Sequence, residues 1–317
     1  MRTGMPALAA GLLAASLLAG CGEQSERRAI PPLPTLSRDR DNETTQPGKP
    51  IGKRSHSPAH GPTEEPSRGP GQETNQPQAA AAGAVPPPWL GKRVLPTTDT
   101  GYGQVRTTPK VLRHRRFTLP DTVRPLPGQG FTARVTEPAP EEVVARSSWV
   151  PGCPVGPEEL TWLRLTFWGF DDQRHTGELL VHEDVAQDLV SVFEQLYAAR
   201  FPMEQLDIAT REELDAPPTG DGNSTTAFAC RPTTGGTEFS QHAYGLAIDV
   251  NSFQNPYVSG DLVLPELASA YVDRSEQRPG MIGAGGPVVQ AFESIGWEWG
   301  GSWETLKDYQ HFSRNGH

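Results

Sequence analysis

The chain has 317 residues, 33 of them Gly and 32 Pro, and only 35% of it is apolar. That share lies below the roughly 45–50% of a globular domain, so part of the chain is not expected to fold, while about 200 residues remain for one domain with a real core. A formal net charge of −10 argues against a nucleic-acid partner, and three Cys are too few for a disulfide framework and lack zinc-ribbon spacing.

Residues 1–20 have the plan of a signal peptide: Arg2, an apolar run from Pro6 to Leu18, then the small residues Ala19 and Gly20 before Cys21. The run is shorter than the ~20 residues of a membrane span, and no later stretch approaches that length. The tetrapeptide Leu18-Ala19-Gly20-Cys21 resembles a bacterial lipobox. The resemblance implies a lipoprotein of actinobacterial type, cut before Cys21 and carrying lipid on that thiol; an ordinary secretory signal with a coincidental Cys is the alternative. At about 0.8 kcal/mol per buried CH₂, such an anchor would hold the protein on the extracellular face of the cytoplasmic membrane. Export leaves Cys153 and Cys230 in an oxidising compartment, where pairing with each other is the simplest outcome and two buried thiols the alternative.

Residues 22–90 contain 13 Pro, eight acids, eight bases and one aromatic, Trp89, with no hydrophobic period. Such a composition cannot offset the entropy of ordering, so residues 21–94 read as a disordered tether or a plain spacer. As a coil, about 70 residues have an r.m.s. span of roughly 45–50 Å, suited to joining membrane and cell wall. A basic lead-in over 95–150 follows. Lys92 to Arg116 hold seven bases against Asp99 alone, whereas the chain from Phe117 holds 29 acids and 12 bases. The run Lys110 to Phe117 (KVLRHRRF) is expected either to pack on the acidic domain or to touch an anionic wall polymer or lipid.

The remaining 151–317 read as a single domain. Leu160–Phe170 alternates and is aromatic-rich, which predicts a strand, and Gly177–His182 predicts a second. Val185–Arg200 places Val185, Leu189, Val192, Phe193, Leu196 and Tyr197 on one helical face. Met203–Ile208, Leu246–Asn251 and Gln310–Ser313 read as short strands, and Pro265–Tyr271 and Pro287–Ile295, the latter stopped by Gly296, as helices. Strands and helices without regular βαβ alternation predict an α+β domain.

Two segments carry chemistry. In Ser240-Gln-His242-Ala-Tyr-Gly245-Leu-Ala-Ile-Asp249, an odd offset of seven would put His242 and Asp249 on opposite faces of a straight strand. Gly245 can break the chain between them. Asp249, flanked by Ile248 and Val250, is costly to bury unless a cation pairs with it. In Asp308-Tyr-Gln-His311-Phe312, after Gly296–Trp303 (GWEWGGSW), Asp308 and His311 can serve one site if the chain turns. Two His and one Asp form a three-ligand, open zinc site, and a further carboxylate, Asp308, can act as base. Arg231 could polarise a carbonyl or hold a substrate carboxylate. A packed His and a capping Asp are the bland alternative. His175 and His182, also seven apart, form a conceivable second metal set or pack instead. His182-Glu-Asp-Val-Ala186 fails H-E-x-x-H at its last position, and Gly128–Ala133 lacks the strand a dinucleotide turn needs.

The joint pattern Ser-x-His-x-x-Gly-x-Ala-x-Asp, with Asp-x-x-His-Phe some 60 residues on, resembles the zinc D-alanyl-D-alanine carboxypeptidase and L-alanyl-D-glutamate peptidase family. The resemblance spans about Trp162 to Phe312 and includes Ala227-Phe-Ala-Cys230-Arg231 and the Gly-Gly-x-Trp before the last His. It implies a Hedgehog/DD-peptidase fold with a central antiparallel sheet flanked by helices. It further implies Zn²⁺ on His242, Asp249 and His311, Asp308 as base, Arg231 as the substrate-polarising residue, and Ser240 behind the ligands or in a turn. Many members carry Glu at the base position, so the shorter Asp308 requires a closer backbone. The implied partner is a peptidoglycan stem peptide, cut at its terminal D-alanine by a monomer. An L-alanyl-D-glutamate endopeptidase and a non-catalytic cell-wall-binding module are the other readings.

Overall fold

A computed structural model describes residues 83–316. Residues 1–20, Cys21, the tether up to residue 82, and His56, His60 and His317 lie outside the described residues. In chain order the regular elements are β1 (Ala133–Thr136), α1 (Glu141–Ala145), β2 (Leu160–Gly169), β3 (Arg174–His182), α2 (Ala186–Ala198), β4 (Pro202–Met203), α3 (Arg211–Asp215), β5 (Ala247–Asp249), β6 (Tyr257–Ser259), β7 (Leu262–Leu264), α4 (Pro287–Glu293), β8 (Glu298–Trp299), β9 (Lys307–Asp308) and β10 (His311–Ser313). The architecture is mixed α/β, with few helices. Instead of one central antiparallel sheet, the described strands fall into three: β1-β2-β3 with β4 parallel to β2, β5-β10-β8, and β7-β6-β9.

The long hairpin β2–β3 forms because each strand has something to bury on both faces. Leu163, Leu165, Phe167, Leu179 and Val181 face one core with Leu189, Val192, Phe193 and Leu196 of α2. Leu160 and Leu180 face a second, with Val143 and Phe228. That double burial explains why Leu179–Val181 reads as a continuous apolar run rather than a clean alternation.

Two of the expected elements shrink. Met203–Ile208 pairs only at Pro202–Met203. Pro265–Tyr271 is not a helix but an extended turn closing in a 3₁₀ turn at Ser269–Tyr271. Its backbone is claimed from outside: Leu267 N–H donates to the Gly220 carbonyl and the Glu266 carbonyl accepts from Arg106 N–H. Bonds to distant segments have displaced the i→i−4 ladder.

The lead-in packs on the domain. Leu112 and Phe117 are buried with Phe253, Leu267, Tyr271 and Met281. Arg115 is 1% exposed and pairs bidentately with Glu204 (0% exposed), at 2.7 Å from Nε and 2.6 Å from Nη2. Burial pushes Glu204 up against the pull of this guanidinium. Lys110, Arg113 and His114 remain on the surface. The tether boundary at 94 is corrected: Trp89 and Leu90 pack against the same cluster, and Gly91 N–H donates to Asp221. Apolar residues at 89–90 give this end of the Pro-rich segment something to bury, unlike the composition averaged over it. No helix of the described residues is long and apolar enough to cross a membrane.

Gly245 lies at φ +67°, and a Cβ there would sit 2.5 Å from the His182 backbone nitrogen. Its carbonyl accepts from that same N–H, so the neighbouring chain cannot retreat without losing the bond. Gly245→Ala combines left-handed backbone strain with this clash and is expected to cost at least about 2 kcal/mol. Thermal unfolding should show a Tm lower by roughly 4 °C or more.

Candidate metal centre and its cleft

Strand alternation builds the site. In β5, Ile248 points into the main core, and in β10 Phe312 does the same, stacking on Phe292 at 4.0 Å between centroids. The antiparallel register sets Phe312 opposite Ile248 and His311 opposite Asp249. With period two, Asp249 and His311 therefore share the other face. Asp249 is held on its second edge by Thr226, through reciprocal backbone bonds of 3.0 and 2.9 Å.

His242 arrives from a 3₁₀ turn, Gln241–Tyr244, which Ser240 caps by accepting from the His242 N–H at 3.3 Å. Gly245 ends the turn and returns the chain to β5, as its place in the sequence suggests. Ser240 thus acts on the backbone that carries His242. The His242 Nδ1–H donates to the Ala227 carbonyl at 2.6 Å, which leaves Nε2 as the acceptor facing the site.

His242 Nε2, His311 Nδ1 and Asp249 Oδ1 form a triangle with all three edges 3.2 Å. The residues are 2%, 5% and 8% exposed. A tetrahedral ion with N and O ligands at about 2.0–2.1 Å needs ligand–ligand edges of about 3.3–3.4 Å, so the donors fit such an ion. Among the described residues, this is the one group of three His, Cys, Asp or Glu side chains with ligand atoms so gathered. Burial opposes ionisation of Asp249, but the two imidazoles outweigh it and hold the carboxyl well below the usual range.

Asp308 sits on β9, paired with Tyr257 of β6. A Cβ on Gly300 would lie 2.7 Å from the Asp308 carbonyl oxygen and 2.9 Å from its Cβ. The Gly-rich turn therefore lets the 300 loop press against the Asp308 backbone. Oδ1 of Asp308 is buried without a hydrogen-bond partner. Burial, then the charge of Asp249, push its carboxyl up to about 7, against the pull of His311 and Arg231. A carboxyl near neutrality beside a cation site is poised for proton transfer.

Two clefts of about 550 and 540 Å³ share Asp249 of the triangle. His242 lines the first, Asp308 the second, and Asp249 and Arg231 line both. Arg231 is half-buried, with Nη1 donating to the Pro232 carbonyl at 3.1 Å. Just before it, Cys230 is joined to Cys153 in a disulfide. Closing a loop with a sequence separation of 77 contributes about 3–5 kcal/mol by constraining the unfolded chain. Cys153→Ala combined with Cys230→Ala is expected to lower the denaturant midpoint, with a larger m-value because the unfolded chain, freed of the crosslink, exposes more surface.

His175 and His182 do not converge. His175 bridges Asp121 (2.7 Å) and Asp171 (3.1 Å), and His182 Nδ1 accepts from the Asp184 N–H. Sequence reading missed Asp207, Glu213, Thr226 and Gly91 in the first cleft and the lead-in residue Tyr102 in the second. No motif marks them; tertiary packing brings them in.

Residues 233–314 match the model of the family described as D-alanyl-D-alanine carboxypeptidase. The match covers 82 of the 317 residues. The matched segment holds His242, Asp249, Asp308 and His311 and begins after Arg231. No curated protein and no solved structure matches the chain.

Proposed function

We propose that the protein is a zinc peptidase that removes the terminal D-alanine from peptidoglycan stem peptides. The observation that carries this reading is the buried 3.2 Å triangle of His242, Asp249 and His311, opening on clefts that Asp308 and Arg231 also line. Zinc held by those three residues would supply a water able to attack at neutral pH and a Lewis acid for the carbonyl oxygen.

The chain's own residues do the rest. Asp308 takes the proton of the attacking water and delivers it to the leaving amine nitrogen. Its unpartnered Oδ1 is available to accept that proton. Arg231 offers a guanidinium to the oxyanion or to the substrate's terminal carboxylate. The Ala227 carbonyl keeps His242 in the tautomer that presents Nε2, and the Ser240 cap fixes the turn behind it. The clefts are of a size that suits a short peptide.

In this reading the domain adopts the Hedgehog/DD-peptidase fold and works as a monomer. Cys21 carries lipid and holds it at the extracellular face of the cytoplasmic membrane, with residues 22–82 bridging to the wall. Release of D-alanine from a D-alanyl-D-alanine-terminated peptide should stop on treatment with a chelator and return with added zinc. Release that persists in excess chelator would refute the metal's role.

A further inference from the structure

The lead-in presents a surface that the proposed reaction does not use. Seven bases lie between Lys92 and Arg116, with Asp99 as the one acid among them. Among the described residues, Arg115 alone of the seven is held in an ion pair. Lys92, Arg93, Arg106, Lys110 and Arg113 are exposed, although the chain from Phe117 holds 29 acids. The side chains of Lys92, Arg106 and Arg113 reach the Pro88 carbonyl, Gln104 and the Thr108 carbonyl rather than a carboxylate. The same segment exposes apolar groups. Six large apolar side chains are exposed among the described residues, and four of them are Val85, Val94, Val105 and Val111. Three stand directly beside a cation, as Arg93-Val94, Val105-Arg106 and Lys110-Val111.

The fold gathers these groups. Leu90, Leu95, Leu112 and Phe117 anchor the segment on one cluster with Phe253 and Tyr271, so the exposed residues between the anchors point away from that cluster. Arg116 N–H donates to the Gly83 carbonyl, which sets the leg that starts at Gly83 against the leg that ends at Phe117. Gln104 N–H donates to the Pro96 carbonyl at 2.8 Å, closing a hairpin whose legs carry Val94 and Val105. Arg93 lies over the half-buried Trp89 ring, 3.3 Å from its centroid.

We infer that this face docks on an anionic phospholipid surface. Its cations meet the headgroup phosphates, and its valines enter the boundary between headgroups and acyl chains. A hydrophilic wall polyanion would engage the cations but leave the valines in water, so lipid is the partner that fits both. Near such a surface each Lys or Arg changes the partition about fivefold. Salt screens the acidic body beyond about 8 Å, so docking is reversible and the tether keeps its reach to the wall. The face needs neither peptidase activity nor lipid on Cys21, so it stands or falls apart from those readings.

The test uses the full chain with Cys21→Ala and Val111→Cys, carrying an environment-sensitive nitrobenzoxadiazole label at position 111. The control carries the label through Glu194→Cys, exposed on α2. Vesicles are phosphatidylcholine alone or equimolar phosphatidylglycerol and phosphatidylcholine. The apolar run from Pro6 to Leu18 is common to both proteins and does not distinguish the two positions. At 111 the emission is expected to move to the blue and rise at least about twofold on phosphatidylglycerol vesicles, with no change on phosphatidylcholine. The label at 194 should respond to neither. Lys92→Gln, Arg106→Gln, Lys110→Gln and Arg113→Gln combined should raise the lipid concentration at half-change at least about tenfold. Equal responses at 111 and 194, or a response at 111 indifferent to phosphatidylglycerol, overturns the docking face, and neither comparison requires the charge variant to fold. A response at 111 to soluble polyphosphate that equals the vesicle response also overturns it, because the cations would then serve a hydrophilic polyanion.

Discussion

Asp308→Ala is expected to lower kcat by about 10²–10⁴-fold, the usual contribution of a positioned base, while metal content and KM stay near wild type. Asp308 is absent from the donor triangle, so its loss should leave ion binding intact. Its backbone lies in β9, where main-chain pairing with Tyr257 does not depend on the side chain. The carboxyl must be ionised to accept a proton. Burial and Asp249 push it up to about 7, and a bound dication would draw it lower. The wild-type kcat/KM should therefore fall as pH drops through a value below 7, and Asp308→Asn should abolish that limb along with most of the rate. A kcat within threefold of wild type for Asp308→Ala would remove it from the base role.

His311→Ala should lose both metal and activity, taking bound zinc from about one per chain to near zero and D-alanine release below detection. Removing one of three ligands leaves too few to hold the ion in an open site. Fold loss should not confuse the result. His311 and Phe312 point to opposite faces of β10, and it is Phe312 that stacks on Phe292 in the core. The variant should retain its near-ultraviolet circular dichroism but lose the rise in Tm that zinc gives the wild type. His242→Ala should behave alike, since its Nε2 is a corner of the same triangle. Retention of stoichiometric zinc by either variant would mean that the ion is held elsewhere.

The parts of this molecule with strong local patterns were legible in the sequence. Strand β2 and helix α2 follow from apolar spacing whose Leu160, Leu163, Leu165 and Phe167, and Leu189, Val192, Phe193 and Leu196, are the buried positions. The convergence of His242, Asp249 and His311 was legible because each stands in a short local device: a cap and a left-handed glycine around His242, Ile248 and Val250 around Asp249, and Phe312 after His311. Pro265–Tyr271 was misread because its competing hydrogen bonds come from Gly220 and Arg106, far away in sequence. Asp207 was invisible for the same reason, since only the backbone bond to Thr225 brings it near Asp249. Averaging composition over residues 22–90 also hid the anchoring contact of Trp89 and Leu90.

The most direct test of the central claim is mass spectrometry of a defined pentapeptide stem after incubation with the zinc-loaded chain. Loss of a single terminal D-alanine, and of nothing else, is the predicted result. An intact peptide with zinc confirmed at one per chain would contradict it and favour a binding module, and a cut between L-alanine and D-glutamate would contradict it in favour of an endopeptidase.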